Sequence, residues 1–86
     1  MERPVPGMLV KSLAGHDRGE YYVVISVTDK AVLVSDGWHK TVTQPKKKYP
    51  KHLQLIRSVM LPEEAAKSNE QIKRIIKGYV KEDMNV

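Results

Sequence analysis

The sequence predicts a mainly β protein, a small antiparallel barrel followed by a C-terminal α-helical extension. In the first part of the chain, β-branched and aromatic residues cluster in short runs between Gly, Asp and Pro, as in strands joined by turns. Several such short strands in succession favour a small barrel. From Leu61 onward the apolar period changes from two to about 3.6 residues, the helical period. We therefore expect a barrel over 1–60 and a helical extension over 61–86, packed together as one unit.

The strands of the barrel are delimited by turn residues. Asp36 and Gly37 are typical of a two-residue type I′ hairpin turn, in which both central residues have positive φ. Pro45 ends the fourth strand, because proline cannot donate to a ladder, and a basic loop over 44–51 follows. The five strands are expected over Gly7–Leu13, Tyr21–Thr28, Val32–Ser35, Trp38–Thr43 and His52–Val59.

One apolar stripe defines the C-terminal helix. Ser68 and Gln71 fit a capping box, which places the helix start near Asn69, and Pro62 suits the first turn of a shorter preceding helix. The stripe should pack on the barrel. Its members stand at i, i+3, i+4, i+7 and i+8, and are Ile72, Ile75, Ile76, Tyr79 and Val80.

Composition excludes several classes of protein. The 86 residues contain no cysteine, so a disulfide framework, a thiolate metal site and a cysteine nucleophile are all excluded. The longest apolar run, Tyr21–Ile25, is far shorter than the roughly 20 residues of a membrane-spanning helix. We expect a soluble, cytoplasmic protein with no membrane partner.

Catalysis and cofactor binding have no support in the pattern. His16, His39 and His52 share no metal-ligand spacing, so no metal site is predicted. No Ser, His and acid fall in a recognised nucleophilic arrangement, and no nucleotide-binding glycine motif is present. We expect a protein that is not an enzyme and has no cofactor.

Positive charge is concentrated in one stretch. The chain has 15 Lys and Arg against 10 Asp and Glu, a net charge of +5. Residues 39–57 contain no acid, and a polyanion is the natural partner of such a stretch. Its basic residues are Lys40, Lys46, Lys47, Lys48, Lys51 and Arg57.

Individual side chains are candidates for contact with such a polyanion. Lys46, Lys47, Lys48 and Lys51 suit phosphate neutralisation, and the alternative is a solvated loop that aids solubility. Two further candidates near the first loop are Lys11 and Arg18, although Arg18 could instead pair locally with Asp17 or Glu20.

Other candidates act through backbone or aromatic contacts. Gly15 and Gly19 could let the loop approach a polyanion closely, or could simply satisfy turn geometry. Tyr49, among the lysines, could stack on nucleic-acid bases or pack on the fold. Trp38 and His39, just after the hairpin turn, offer the same two alternatives, and we expect Trp38 to be partly exposed.

A row of lysines follows one face of the predicted helix. Lys73, Lys77 and Lys81 recur every four residues, on the face away from the isoleucines. They form either a solvated polar face or a row that rests on a phosphate backbone.

The segment over 7–24 resembles a KOW motif, a strand, a glycine-bounded loop containing an acid and a base, and a second apolar strand. The segments over 32–37, 44–48, 51–54 and 68–72 follow in the order seen in short bacterial KOW-domain RNA-binding proteins, relatives of a group of eukaryotic and archaeal ribosomal proteins. The resemblance implies an SH3-like barrel and binding of ribosomal or other structured RNA. Trp38 and His39 depart from the pattern, which has polar or basic residues there.

The charge pattern and the resemblance together predict non-catalytic RNA binding through a basic face, by a monomer whose candidate side chains contact the RNA. The resemblance implies that this RNA is ribosomal or another structured RNA and that the protein associates with ribosomes. The alternative is an SH3-like interaction module that binds a peptide or a partner helix. A peptide should remain bound at moderate salt concentrations, whereas binding to RNA phosphates should weaken as the salt concentration rises.

Overall fold

The chain forms an antiparallel sheet with a helix against one face. The computed structural model describes residues 3–84 and the side chains of residues 3–81, and within them the sheet has five strands and there is one α-helix. The ends of both predicted units, residues 1–2 and 85–86, lie outside the described residues. The elements are β1 (Met8–Ser12), β2 (Tyr21–Val27), β3 (Val32–Ser35), β4 (Lys46–Lys48), β5 (Leu53–Met60) and α1 (Asn69–Met84), with 3-10 turns at Pro50–His52 and Ala65–Lys67.

The sheet is open. Its strand order is β4-β3-β2-β1-β5, and β4 and β5 form the two edges with no pairing between them in the described part of the chain. The predicted mainly β, antiparallel class is confirmed, but the sheet does not close into a barrel. Strand β4 has only three residues, and Pro45 and Pro50, which cannot donate to a ladder, lie close to its two ends. It is therefore too short to form a second ladder with β5.

Both faces of the sheet are covered by apolar side chains. Alternate residues of a strand point to opposite faces, so neighbours such as Leu9 and Val10, each fully buried, belong to different clusters. Ile72 of α1 is also fully buried and lies in the same cluster as Leu9 and Val23. Helix α1 therefore packs on the sheet through its predicted apolar stripe.

The predicted fourth strand is wrong. Residues 38–43 lie outside the sheet, and β4 forms over Lys46–Lys48, inside the stretch that was expected to be a basic loop. Gly37 has φ of 75°, but no non-glycine residue described has positive φ, so the turn at Asp36 is not type I′. The Asp36 carboxylate instead accepts hydrogen bonds from backbone N–H groups two and four positions later. This turn directs the chain away from the ladder.

The helix start is confirmed. Helix α1 begins at Asn69, and the Gln71 N–H donates to the Ser68 hydroxyl at 3.3 Å. The shorter helix expected near Pro62 is a 3-10 turn over Ala65–Lys67. No helix within residues 3–84 is long and apolar enough to cross a membrane.

Candidate functional site

A groove of about 810 Å³ lies between the loop after β3 and helix α1. Both the loop and the helix contribute basic and apolar side chains to it. The loop provides Trp38, His39 and Lys40, β4 provides Lys46, and the helix provides Lys73, Ile76, Lys77, Val80 and Lys81.

The wall of the groove is aromatic. Trp38 is 65% exposed, and its ring stacks on His39 with centroids 4.7 Å apart and planes 18° from parallel. The expectation that Trp38 is partly exposed is confirmed, although it rested on a type I′ turn that does not form. A large aromatic side chain left exposed in this way is a common feature of interaction surfaces.

Hydrogen bonds fix the loop that carries the aromatic pair. One carboxylate oxygen of Asp36 accepts from the backbone N–H groups of Trp38 and Lys40, each at 2.8 Å. The Ser35 hydroxyl donates to the Lys40 carbonyl at 2.6 Å and accepts from the Gly37 N–H at 3.0 Å. The exposed ring of Trp38 therefore stands on a backbone held in one conformation.

The same loop is docked onto the first turn of helix α1. Gly37 is buried, and a Cβ at that position would collide with the Asn69 carbonyl oxygen. The Asn69 side-chain oxygen also accepts a hydrogen bond from the Val42 N–H at 2.9 Å. These contacts fix the position of the loop that carries Trp38 and His39 relative to helix α1.

Helix α1 presents a mixed face to the groove. The lysine row predicted from the sequence lines it, with Lys73 half-buried and Lys77 and Lys81 exposed. Ile76 and Val80 lie on the same face, so the lysines are not fully separated from the apolar stripe as expected. No ion pair within the described part of the chain involves these three lysines.

Asp17, in the loop between β1 and β2, is the centre of a polar network at the other side of the groove. Its carboxylate accepts hydrogen bonds from the Tyr22 hydroxyl at 2.7 Å and from the Ser12 hydroxyl at 3.0 Å. It also pairs with the ammonium groups of Lys48 at 3.0 Å and Lys46 at 3.2 Å. The network joins the first loop to β4.

The environment of the network shifts the pKa values of the Asp17 carboxyl and the Tyr22 hydroxyl. Burial opposes the charge of Asp17, but the hydrogen bonds from Tyr22, Lys48, Ser12 and Lys46 outweigh it and hold the Asp17 pKa well below its usual range. Burial, followed by the neighbouring Asp17 carboxylate, raises the pKa of Tyr22 well above its usual value. The Asp17 carboxylate is therefore ionised throughout the neutral range.

The structure separates the three consecutive lysines of the predicted RNA site. The Lys48 side chain is only 8% exposed, and its ammonium also donates to the Ala14 carbonyl at 3.0 Å, which makes it a structural residue. Lys46 lines the groove with its side chain 31% exposed, whereas the exposed Lys47 does not line it. Alternate residues of a strand point to opposite faces, so Lys46 and Lys48 share one face of β4 and Lys47 lies on the other.

The remaining predicted side chains lie outside the groove. Lys51 is exposed in a 3-10 turn, and Tyr49 is 50% exposed with its ring edge-on to that of His52. Lys11 lies 5.5 Å over the Tyr21 ring.

The first loop keeps its basic side chain and its glycines exposed. Arg18 is exposed, and the local pair with Asp17 or Glu20 does not form within the described residues. Gly15 and Gly19 have φ of 89° and 94°, so both satisfy a turn requirement.

Sequence reasoning missed the groove itself. It singled out Trp38, Lys40 and Lys46, and noted the helix lysines separately, but gave no reason to bring them together. The Ser35 to Gly37 turn carried a usable signal, because an Asp in a turn commonly bonds the following backbone N–H groups.

Comparison with known proteins adds no family assignment. No protein-family model matches the chain, and a search of curated proteins finds no match. Among residues 3–84, no group of three or more His, Asp or Glu could hold a metal ion.

Proposed function

We propose that this protein is a non-catalytic RNA-binding protein whose groove lysines contact the phosphate backbone. The observation that carries the proposal is the convergence of five lysines and an exposed aromatic pair on one groove. Ammonium groups neutralise phosphates without a precise pose, and aromatic rings accept bases of any sequence. This combination is typical of surfaces that bind single-stranded nucleic acid.

Charge placement supports a phosphate ligand on the helix side. Lys73, Lys77 and Lys81 follow one another at intervals of about 6 Å along the helix axis. The acids that line the groove belong to the sheet and its loops, and the Asp17 carboxylate is occupied by two lysines. A phosphate backbone would therefore be attracted to the helix side and repelled from the exposed Glu20.

For the family, we propose a KOW-type domain related to SH3-like proteins. The support is the strand, glycine-bounded loop and strand over 8–27, together with a strand order that places β1 between β2 and β5. On this proposal the protein is a cytoplasmic monomer that associates with ribosomal or other structured RNA. The relation concerns strand order and the loop, since the sheet is open.

A salt titration with matched charge changes tests the function. RNA affinity is measured by fluorescence anisotropy of a labelled single strand at several salt concentrations. If about four phosphates are neutralised, log affinity should fall against log salt with a slope of about −3. Binding that is absent, or that salt does not weaken, would contradict the proposal.

Three pairs of substitutions test which lysines contact the phosphates, and each pair removes two exposed lysines. Lys77→Gln with Lys81→Gln should flatten the slope by about 1.4 units, because each single-strand contact contributes about 0.7. The pair outside the groove is Lys47→Gln with Lys51→Gln, and the control pair is Lys30→Gln with Lys67→Gln. A larger effect of the Lys47 and Lys51 pair would move the interface to β4 and the 3-10 turn that follows it.

The second candidate function is peptide binding. Ile76 and Val80 give the groove an apolar floor that would suit a peptide side chain. A peptide ligand held by this floor would remain bound at salt concentrations that release RNA, and Ile76→Ala would weaken it more than the lysine substitutions.

A further inference from the structure

We infer that the groove holds an unpaired base of the RNA, stacked on Trp38, so that the protein prefers single-stranded or looped RNA to continuous duplex. The inference rests on the proposed function and adds the class of RNA that the groove selects. Three observations support it: the size of the groove, the exposed ring of Trp38 on an ordered loop, and the distribution of charge around the groove.

The shape of the groove suits a base and its immediate neighbours. Its volume of about 810 Å³ lies within the range of about 300–1,000 Å³ that is usual for small-molecule sites. A base inside a continuous duplex is covered on both faces by its neighbours and cannot enter such a groove without leaving the stack. An unpaired base can enter directly.

The ring of Trp38 is accessible to a base and is carried by an ordered loop. The ring is 65% exposed, yet its backbone is fixed by Asp36 and the loop is docked on helix α1 through Gly37. A loop whose backbone is already ordered loses little conformational entropy on binding, which favours stacking. His39 supports the ring by stacking on it at 4.7 Å.

The helix side of the groove suits the remaining parts of a nucleotide. Ile76 and Val80 provide apolar contact, and the lysines beside them, Lys73, Lys77 and Lys81, provide positive charge for the adjoining phosphates. The base therefore lies toward the Trp38 loop, and the phosphate backbone lies along helix α1.

The test uses the sole tryptophan as a reporter of one site. The full chain is titrated with four RNA probes of equal length, a single strand, a hairpin with an open loop, a blunt duplex and a single strand with abasic residues. The single strand and the hairpin should quench Trp38 emission, whereas the duplex and the abasic strand should not. Affinity for the single strand should exceed that for the duplex by about 5- to 150-fold.

Two aromatic substitutions provide the matched comparison. Trp38→Ala should weaken binding of the single strand by about 5- to 150-fold and leave duplex affinity unchanged. The control is Tyr49→Ala, because Tyr49 is exposed but lies outside the groove, and this change should leave both affinities unchanged. Circular dichroism of both variants should match that of the parent chain.

The outcomes separate this inference from the function on which it rests. Salt-dependent RNA binding with equal affinity for duplex and no effect of Trp38→Ala would overturn the base site and leave the proposed function standing. A loss caused by Tyr49→Ala alone would overturn it in favour of a site near β5. If none of the four probes binds, the function and the base site are both wrong.

Discussion

Replacing Asp17 with alanine should lower the free energy of unfolding by about 3–5 kcal/mol. The Asp17 side chain is 11% exposed and bonds four donors, among them Lys48, whose side chain is 8% exposed. Without the carboxylate, the Ala14 carbonyl is the one partner that the Lys48 ammonium keeps among the described residues. Removing one partner of a buried pair leaves an uncompensated charge, and that loss is typically of this size.

Two related variants separate charge from shape. Asp17→Asn keeps an acceptor oxygen but loses the charge, so its expected loss is smaller, about 1.5–3 kcal/mol. Combining Asp17→Ala with Lys48→Met removes both charges, and should recover at least about 1 kcal/mol relative to Asp17→Ala alone, because the buried ammonium is no longer present.

Urea denaturation followed by circular dichroism measures all of these variants. The control is Asp29→Ala, since Asp29 is exposed in a turn, and it should change stability by no more than about 0.5 kcal/mol. If Asp17→Ala costs no more than this control, the polar network does not stabilise the fold. If the double variant is less stable than Asp17→Ala, the Lys48 ammonium does not act as an uncompensated buried charge.

Three further results are expected from the same urea assay. The pKa of Asp17 is lowered from an ordinary 3.8, so the stabilisation by its carboxylate is complete above about pH 5 and decreases as the pH falls below that value. The Asp17→Asn variant should be less sensitive to pH in this range, and equal sensitivity would contradict this account. Gly19→Ala places a side chain at positive φ in open space and should cost about 1–2 kcal/mol, whereas Gly37→Ala adds a collision with the backbone of α1 and should cost more; equal losses would show that the close approach is unimportant. Ile72→Ala should cost about 2–5 kcal/mol and Ile76→Ala less, because only Ile72 is fully buried, and the reverse order would contradict the packing described.

The parts of the fold that the sequence predicted correctly depend on local signals. The Val32–Ser35 strand is a mainly apolar run with two β-branched residues, and the start of α1 is marked by Ser68, whose hydroxyl accepts a hydrogen bond from the Gln71 N–H. Such features are determined by residues a few positions apart, so they can be read without knowledge of the fold.

Strand β4 could not be predicted in this way. Lysine is not a favoured strand residue, and Lys46–Lys48 is extended because it pairs with β3, where Lys47 lies opposite Leu33. Tertiary pairing therefore overrides local preference. The absence of barrel closure follows from the same segment, since its length is set by the flanking prolines.

The candidate site was predicted only in part, for a similar reason. Three adjacent lysines suggested one basic cluster, but alternation along β4 separates Lys47 from its neighbours, and Lys48 pairs with Asp17, 31 positions away in the chain. The helix lysines join Trp38 only because Gly37 docks the loop on α1. Long-range contacts of this kind leave no local pattern.

The most direct test of the central claim is to map the RNA contact by NMR on the full chain. A single-stranded RNA is titrated into ¹⁵N-labelled protein at low salt, and the backbone amides and the Trp38 indole N–H are followed. We predict that the largest shift changes fall in two segments, 36–42 and 73–81, and that raised salt reverses them. Changes confined to 46–52, or no change at any amide, would contradict the assignment of the groove as the RNA-binding surface.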